Sequence, residues 1–133
     1  MDDDRIFGQD GNDTMLGGEG NDYLDGGLGN DVIYGQDGND SISGDFGNDR
    51  LFGGAGADTI FAGWGNDEIG GGAGNDAIYG DGGNDTLSGN AGNDVLFGGT
   101  GADVFIFAAN EGLDVISDFS MTQGDGLTFG ASM

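Results

Sequence analysis

The chain holds 133 residues with a formal charge of −23, because 25 acidic side chains face only Arg5 and Arg50 and no lysine, histidine or cysteine occurs. This balance excludes nucleic acid, whose binding needs clustered Lys and Arg to neutralise phosphate, and it disfavours anionic membrane surfaces. It also excludes disulfides, zinc or copper centres of the N/S type, and nucleophile and base pairs built from His, Cys or Lys, so the chain is not expected to be an enzyme and any metal must be held by oxygen.

No apolar run is long enough to cross a bilayer and no basic-then-apolar leader opens the chain, so no membrane-spanning segment is expected. A nine-residue repeat is already in register at Asp4, from which we expect other domains of a larger parent protein. Aspartate recurs every ninth residue at Asp4, Asp13, Asp22, Asp31, Asp40, Asp49, Asp58, Asp67, Asp76, Asp85, Asp94 and Asp103. Two residues after each comes an apolar side chain, from Ile6 and Met15 through to Leu96 and Phe105. Composition alone, acidic and rich in glycine, reads as disorder. Disorder, however, places no apolar residue at every ninth position, and a fixed period of this kind dictates the architecture.

Written from its first glycine, the unit is Gly-Gly-x-Gly-Asn-Asp-x-(Ile/Leu)-x, intact at Gly17 to Asp25, Gly26 to Tyr34 and Gly71 to Tyr79, and eleven copies run from Gly8 to Ile106. Position four is glycine in every copy, as a sharply turning backbone with positive φ requires. At position two the exceptions are Gln9, Gln36, Asp45, Asp81 and Asn90; three of them are Asp or Asn, which tolerate the left-handed conformation best among non-glycine residues. Ala62 replaces the glycine of position one, and Ala57 and Ala102 replace the Asn of position five, so their loops are expected to be weaker sites.

After each six-residue turn, the three residues x-(Ile/Leu)-x have strand periodicity, with the middle side chain inward. Strands of about three residues cannot stand alone. Two nonapeptides per turn coil the chain into two parallel sheets, each strand pairing with the one two repeats later, and the crossover rule makes the coil right-handed. The fold class is therefore all-β, a right-handed parallel β-roll or β-solenoid, with about six coils and a height of roughly 29 Å at the usual strand spacing.

This coiling stacks the aspartates in two rows, Asp4, Asp22, Asp40, Asp58, Asp76 and Asp94 in one and Asp13, Asp31, Asp49, Asp67, Asp85 and Asp103 in the other. Carboxylates at that spacing repel unless a divalent cation lies between each pair. Carboxylates and carbonyls in flexible loops suit Ca²⁺ better than Mg²⁺, which demands a strict and wetter octahedron. The gaps in the rows admit up to about ten ions, whose charge would bring the chain close to neutrality.

Residues 1–106 thus form the repeat roll, and residues 107–133 lose its register while remaining rich in Phe, Val and Ile. An open last coil exposes sheet edge and core, so this segment is expected to be an irregular cap, with Phe105, Phe107, Val115, Ile116 and Phe119 covering the last turn. Aromatics at the outward end of each strand are expected to stack, Tyr34 on Phe52 along one face and Phe61, Tyr79 and Phe97 along the other, and they offer a strip for self-association.

The repeat from Asp4 to Ile106 resembles the nonapeptide of RTX (repeats-in-toxin) calcium-binding proteins, and the tail through Asp114-Val115-Ile116-Ser117-Asp118-Phe119 and Gly124 to Phe129 is similar to the closing segment of serralysin-type C-terminal domains. The resemblance implies a β-roll whose Ca²⁺ ions are held by aspartates and alternate loop carbonyls of repeats n and n+2. It further implies a secreted, extracellular bacterial protein, exported unfolded by type I secretion and folded by external calcium. A calcium-rigidified spacer in a large extracellular adhesin is the alternative. An ice-binding solenoid is disfavoured, because the outward positions Thr14, Val32, Arg50, Glu68, Thr86 and Val104 form no regular array.

Overall fold

The computed structural model describes residues 2–109 and 111–130, which wind into two parallel sheets sharing one narrow core. One sheet has β1 (Arg5–Asp10), β3 (Tyr23–Leu28), β5 (Ser41–Phe46), β7 (Thr59–Trp64), β9 (Ala77–Tyr79), β11 (Val95–Phe97) and β13 (Val115–Ile116) in that spatial order. The other has β2 (Thr14–Glu19), β4 (Val32–Asp37), β6 (Arg50–Ala55), β8 (Glu68–Ala73), β10 (Thr86–Ala91), β12 (Val104–Phe107) and β14 (Gly126–Phe129), likewise in chain order from one end to the other. Every repeat strand pairs with its counterpart two repeats on, as Leu24 with Ile42 and Ile42 with Ile60. The apolar series fills the core: Leu24, Ile33, Ile42, Leu51, Ile60, Ile78, Leu87, Leu96 and Phe105 are completely buried.

Two features differ from expectation. Most strands span six residues instead of three, because the ladder skips only the first glycine and resumes at positions two and three, as in Gln9↔Gly27 and Asp10↔Leu28. The five non-glycine residues at position two, Gln9, Gln36, Asp45, Asp81 and Asn90, all have φ between 67° and 84°. That left-handed step turns the chain while keeping its peptide groups aimed along the stack, so congruent turns hydrogen-bond to one another as strands do. The second difference is the number of coils, about seven instead of six. β13 pairs with β11 through Val95↔Val115, and β14 with β12 through Phe105↔Leu127, each at a separation wider than two repeats. Short insertions shift the tail out of the nine-residue period without ending the coil.

The tail residues divide by direction. Phe107 and Ile116 pack against the core and the Phe119 ring lies 6.2 Å from that of Phe105, whereas Val115 is mostly exposed. On the outer faces, Tyr34 stacks on Phe52 at 5.2 Å, and Phe61, Tyr79 and Phe97 form a continuous stack with 4.8 Å steps.

Candidate metal centre

The two aspartate rows run along the two edges where the turns lie. Asp22 and every in-register aspartate after it, through Asp103, are buried; Asp13 is half-buried and Asp4, at the open end, is exposed. Each carboxylate is oriented by the fold itself. The backbone N–H of one aspartate donates to Oδ1 of the aspartate one coil later, from Asp4 to Asp22 at 2.7 Å up to Asp85 to Asp103 at 2.9 Å. The asparagines of position five form a second ladder in the opposite sense on the exposed side: Asn30 N–H donates back to Asn12 Oδ1 at 2.8 Å.

Oδ2 is a different matter. In all eleven in-register aspartates from Asp13 to Asp103 it is buried and has no hydrogen-bond partner. An orphaned buried polar atom costs about 1–3 kcal/mol and a charged one more, so native interiors hold few of them. Eleven in regular series call for a cationic partner.

The space beside these oxygens is shaped by the glycine of position one. A Cβ on Gly17 would sit 2.5 Å from Asp22 Oδ2 and 2.5 Å from the Gly35 carbonyl oxygen of the next coil; on Gly53 it would sit 2.3 Å from Asp58 Oδ2 and 2.5 Å from the Gly71 carbonyl. A Cβ at that point would overlap both oxygens, which lie no farther apart than the sum of those two distances, close enough for one cation with ligands at roughly 2.3–2.6 Å to reach both. A carboxylate and a next-coil carbonyl meet in this way, within 3.0 Å, at Gly8, Gly17, Gly26, Gly35, Gly44, Gly53, Gly71 and Gly80. Among the described residues no three acidic side chains converge on one point. A cation here would therefore meet carboxylate oxygen together with main-chain carbonyls, a donor set that fits a hard divalent ion.

Electrostatics point the same way. Burial, reinforced by the aspartates of adjacent coils and opposed by the N–H bond to Oδ1, pushes Asp49 and Asp85 up to about 7. Burial likewise lifts Asp58 and Asp76 to about 6, again against the backbone bond and with the next aspartate of the row adding to it.

The departures from the repeat fall in different places. Ala57 and Ala102 lie in the outer asparagine ladder, where Ala57 still donates its N–H to Asn39 but has no side-chain oxygen to offer Asn75. Ala62 lies inside, fully buried. The tail supplies residues that the nine-residue period does not reveal. Asp94 N–H donates to Asp114 Oδ1 at 3.0 Å and Asp103 N–H to Asp125 Oδ1 at 3.1 Å, which adds a seventh aspartate to each row. The usable signal was an aspartate two residues before an apolar side chain, Asp114 before Ile116 and Asp125 before Leu127. Asp125 Oδ2 accepts Ser120 N–H at 2.7 Å, so both its oxygens are engaged. Asp118 closes the last turn by accepting the N–H groups of Gly98 and Gly99, each at 2.8 Å.

The family model for the RTX calcium-binding nonapeptide repeat, in four copies, matches residues 2–33, 16–51, 34–69, 43–78 and 70–105. A comparison with curated proteins finds no match.

Proposed function

The chain belongs to the RTX calcium-binding nonapeptide repeat family, and from that premise we propose that it is a calcium-folded module of a secreted protein whose activity is its own folding. The observation that carries this reading is the series of eleven buried, partnerless Oδ2 atoms. The position-one glycines leave the space beside ten of these oxygens open, next-coil carbonyls border eight of those spaces, and the Oδ1 bonds hold each carboxylate in place. Ca²⁺, when bound, supplies the positive charge that these oxygens lack. Oxygen donors on a flexible backbone favour it over Mg²⁺.

On this reading at least eight carboxylate–carbonyl pairs are available to ions, against the ten gaps that row counting admits, and eight dications would offset 16 of the 23 negative charges. The metal-binding residues of this reading are Asp13, Asp22, Asp31, Asp40, Asp49, Asp58, Asp76 and Asp85, with Asp67, Asp94 and Asp103 on the far side of the sites that follow in each row and Asp4 at the exposed end. In a calcium-poor cytoplasm, repulsion and glycine entropy keep the chain expanded, which suits export through a narrow type I channel. Extracellular calcium modules bind at about 10⁻⁴ to 10⁻³ M, a range that leaves sites empty inside a cell and filled outside it.

Far-UV circular dichroism and sedimentation velocity, with CaCl₂ and MgCl₂ titrated separately, test the proposal. Cooperative gain of β signal with compaction in calcium but not magnesium is expected. A compact, fully folded chain in EDTA would refute calcium-driven folding and leave a constitutive scaffold.

A further inference from the structure

Ten of the eleven copies of the repeat open on glycine and one opens on alanine, Ala62. The exception is not neutral, because position one points into the core side of the turn. At the ten glycines, the point a Cβ would occupy lies between 2.1 and 2.8 Å from Oδ2 of the same turn's aspartate. The backbone at Ala62 follows the course of its neighbours: its carbonyl oxygen lies 2.6 Å from the Cβ point of Gly44, as the Gly35 carbonyl does at 2.5 Å from that of Gly17. Its strand keeps register with the coil before, through Asp45↔Gly63 and Phe46↔Trp64. The same path aims the Ala62 methyl at the space between Asp67 Oδ2 and the next coil.

Three observations agree with that placement. Ala62 is fully buried and belongs to the apolar core cluster. Asp67 Oδ2, in the same turn, is buried without a partner. The ladder of this sheet first breaks directly after Ala62, where β7 and β9 pair through Thr59↔Ala77, Ile60↔Ile78 and Phe61↔Tyr79 but not through Gly63 and Asp81, and only an isolated bridge, Trp64↔Gly82, follows. A methyl carbon offers no lone pair, and at that point it would hold Asp67 Oδ2 and the next-coil carbonyl too far apart for both to meet one cation at roughly 2.3–2.6 Å.

We propose that Ala62 closes the gap between Asp67 and Asp85 to calcium and thereby divides one row of sites. On this assignment, which rests on the calcium reading above, that row holds three adjoining ions between Asp13 and Asp67 and one separate ion between Asp85 and Asp103. The other row keeps an unbroken run of four from Asp22 to Asp94. Ions that share an aspartate with a neighbour organise each other's ligands, so the unbroken row fills as one unit and the divided row in two.

Counting calcium ions bound per chain by equilibrium dialysis, for the wild type, Ala62→Gly and Gly53→Ala, tests the assignment. Ala62→Gly restores the residue found in the other ten copies, and it is expected to take up one more ion than the wild type. Gly53→Ala places a methyl between Asp58 and the Gly71 carbonyl and is expected to take up one fewer. Equal counts for the wild type and Ala62→Gly would overturn the assignment while leaving calcium-driven folding intact, and should Gly53→Ala fail to fold, the Ala62→Gly count decides alone. A wild-type chain that binds no calcium would instead overturn the reading on which the assignment stands.

Discussion

Asp49 accepts the backbone N–H of Asp31, one coil earlier, on its Oδ1 at 2.7 Å, and keeps its Oδ2 buried beside Gly44 without a partner. One oxygen of the carboxylate thus belongs to the scaffold and the other faces the space where a cation fits. Once the coils have formed, the bond to Oδ1 limits rotation of the carboxylate, so the free oxygen keeps its direction.

Asp49→Asn separates these two roles. The asparagine Oδ1 still accepts the Asp31 N–H, while an amide nitrogen replaces the free carboxylate oxygen. In saturating calcium the variant is expected to lose roughly 3–5 kcal/mol, the usual consequence of removing one partner of a buried ion pair. In EDTA, where it carries one repelling charge fewer, it is expected to be no less folded than the wild type. Urea unfolding under both conditions measures the difference.

Protons are expected to substitute in part for calcium. Asp49 and Asp85 titrate near 7 and Asp58 and Asp76 near 6 in the folded chain, all above the ordinary 3.8 of the unfolded one, chiefly because burial penalises the charged form. Between about pH 7 and pH 4 the folded chain therefore binds more protons than the unfolded chain, and the stability of the calcium-free roll rises as pH falls through this window. Circular dichroism in EDTA should show β signal increasing from pH 8 to pH 5. Calcium affinity moves the opposite way, since protons and calcium compete for the same oxygens.

Gly47→Ala is expected to abolish folding even with calcium. Its φ is +138°, and a Cβ there would lie 1.7 Å from the Gly29 carbonyl oxygen in the coil before. The obstacle is backbone, so no side-chain rotation relieves it. Loss of the calcium-induced compaction in sedimentation velocity is the measurement, with Gly126→Ala as the contrast, because its φ is not in the left-handed region and its added Cβ meets nothing within 4 Å.

Asp118→Ala tests the closing turn. Its removal leaves the N–H groups of Gly98 and Gly99 without their acceptors, at a cost of about 1–3 kcal/mol for each group that stays buried. Amide hydrogen exchange at Gly98 and Gly99 should accelerate while that of Gly44 and Gly53 changes little.

The roll was legible because its constraints repeat. A left-handed position filled by Gln9 or Gln36 instead of glycine was still recognisable from the other turns, and the pairing of Leu24 with Ile42 follows directly from the period. The seventh coil was not legible in the same way: the longer spacings before Asp114 and Asp125 break the period while parallel pairing tolerates them. Strand length escaped notice because turn peptides normally seek water, and only a stack of identical turns lets Asp10 pair with Leu28. The different fates of Oδ1 and Oδ2 depend on atomic contacts, on which residue spacing is silent.

The asparagine and aspartate ladders run in opposite senses, Asn30 giving its N–H back to Asn12 while Asp31 gives its N–H forward to Asp49. Each coil is consequently both donor and acceptor toward both neighbours, and these two ladders by themselves do not distinguish one level from the next. Nothing in them measures the height of the stack. Length is decided by the number of repeats in the chain and by the tail, where Asp118 and Asp125 accept the N–H groups of Gly98, Gly99 and Asp103, so adding or removing whole two-repeat coils between Gly17 and Gly53 should rescale the molecule without requiring a new design at either end.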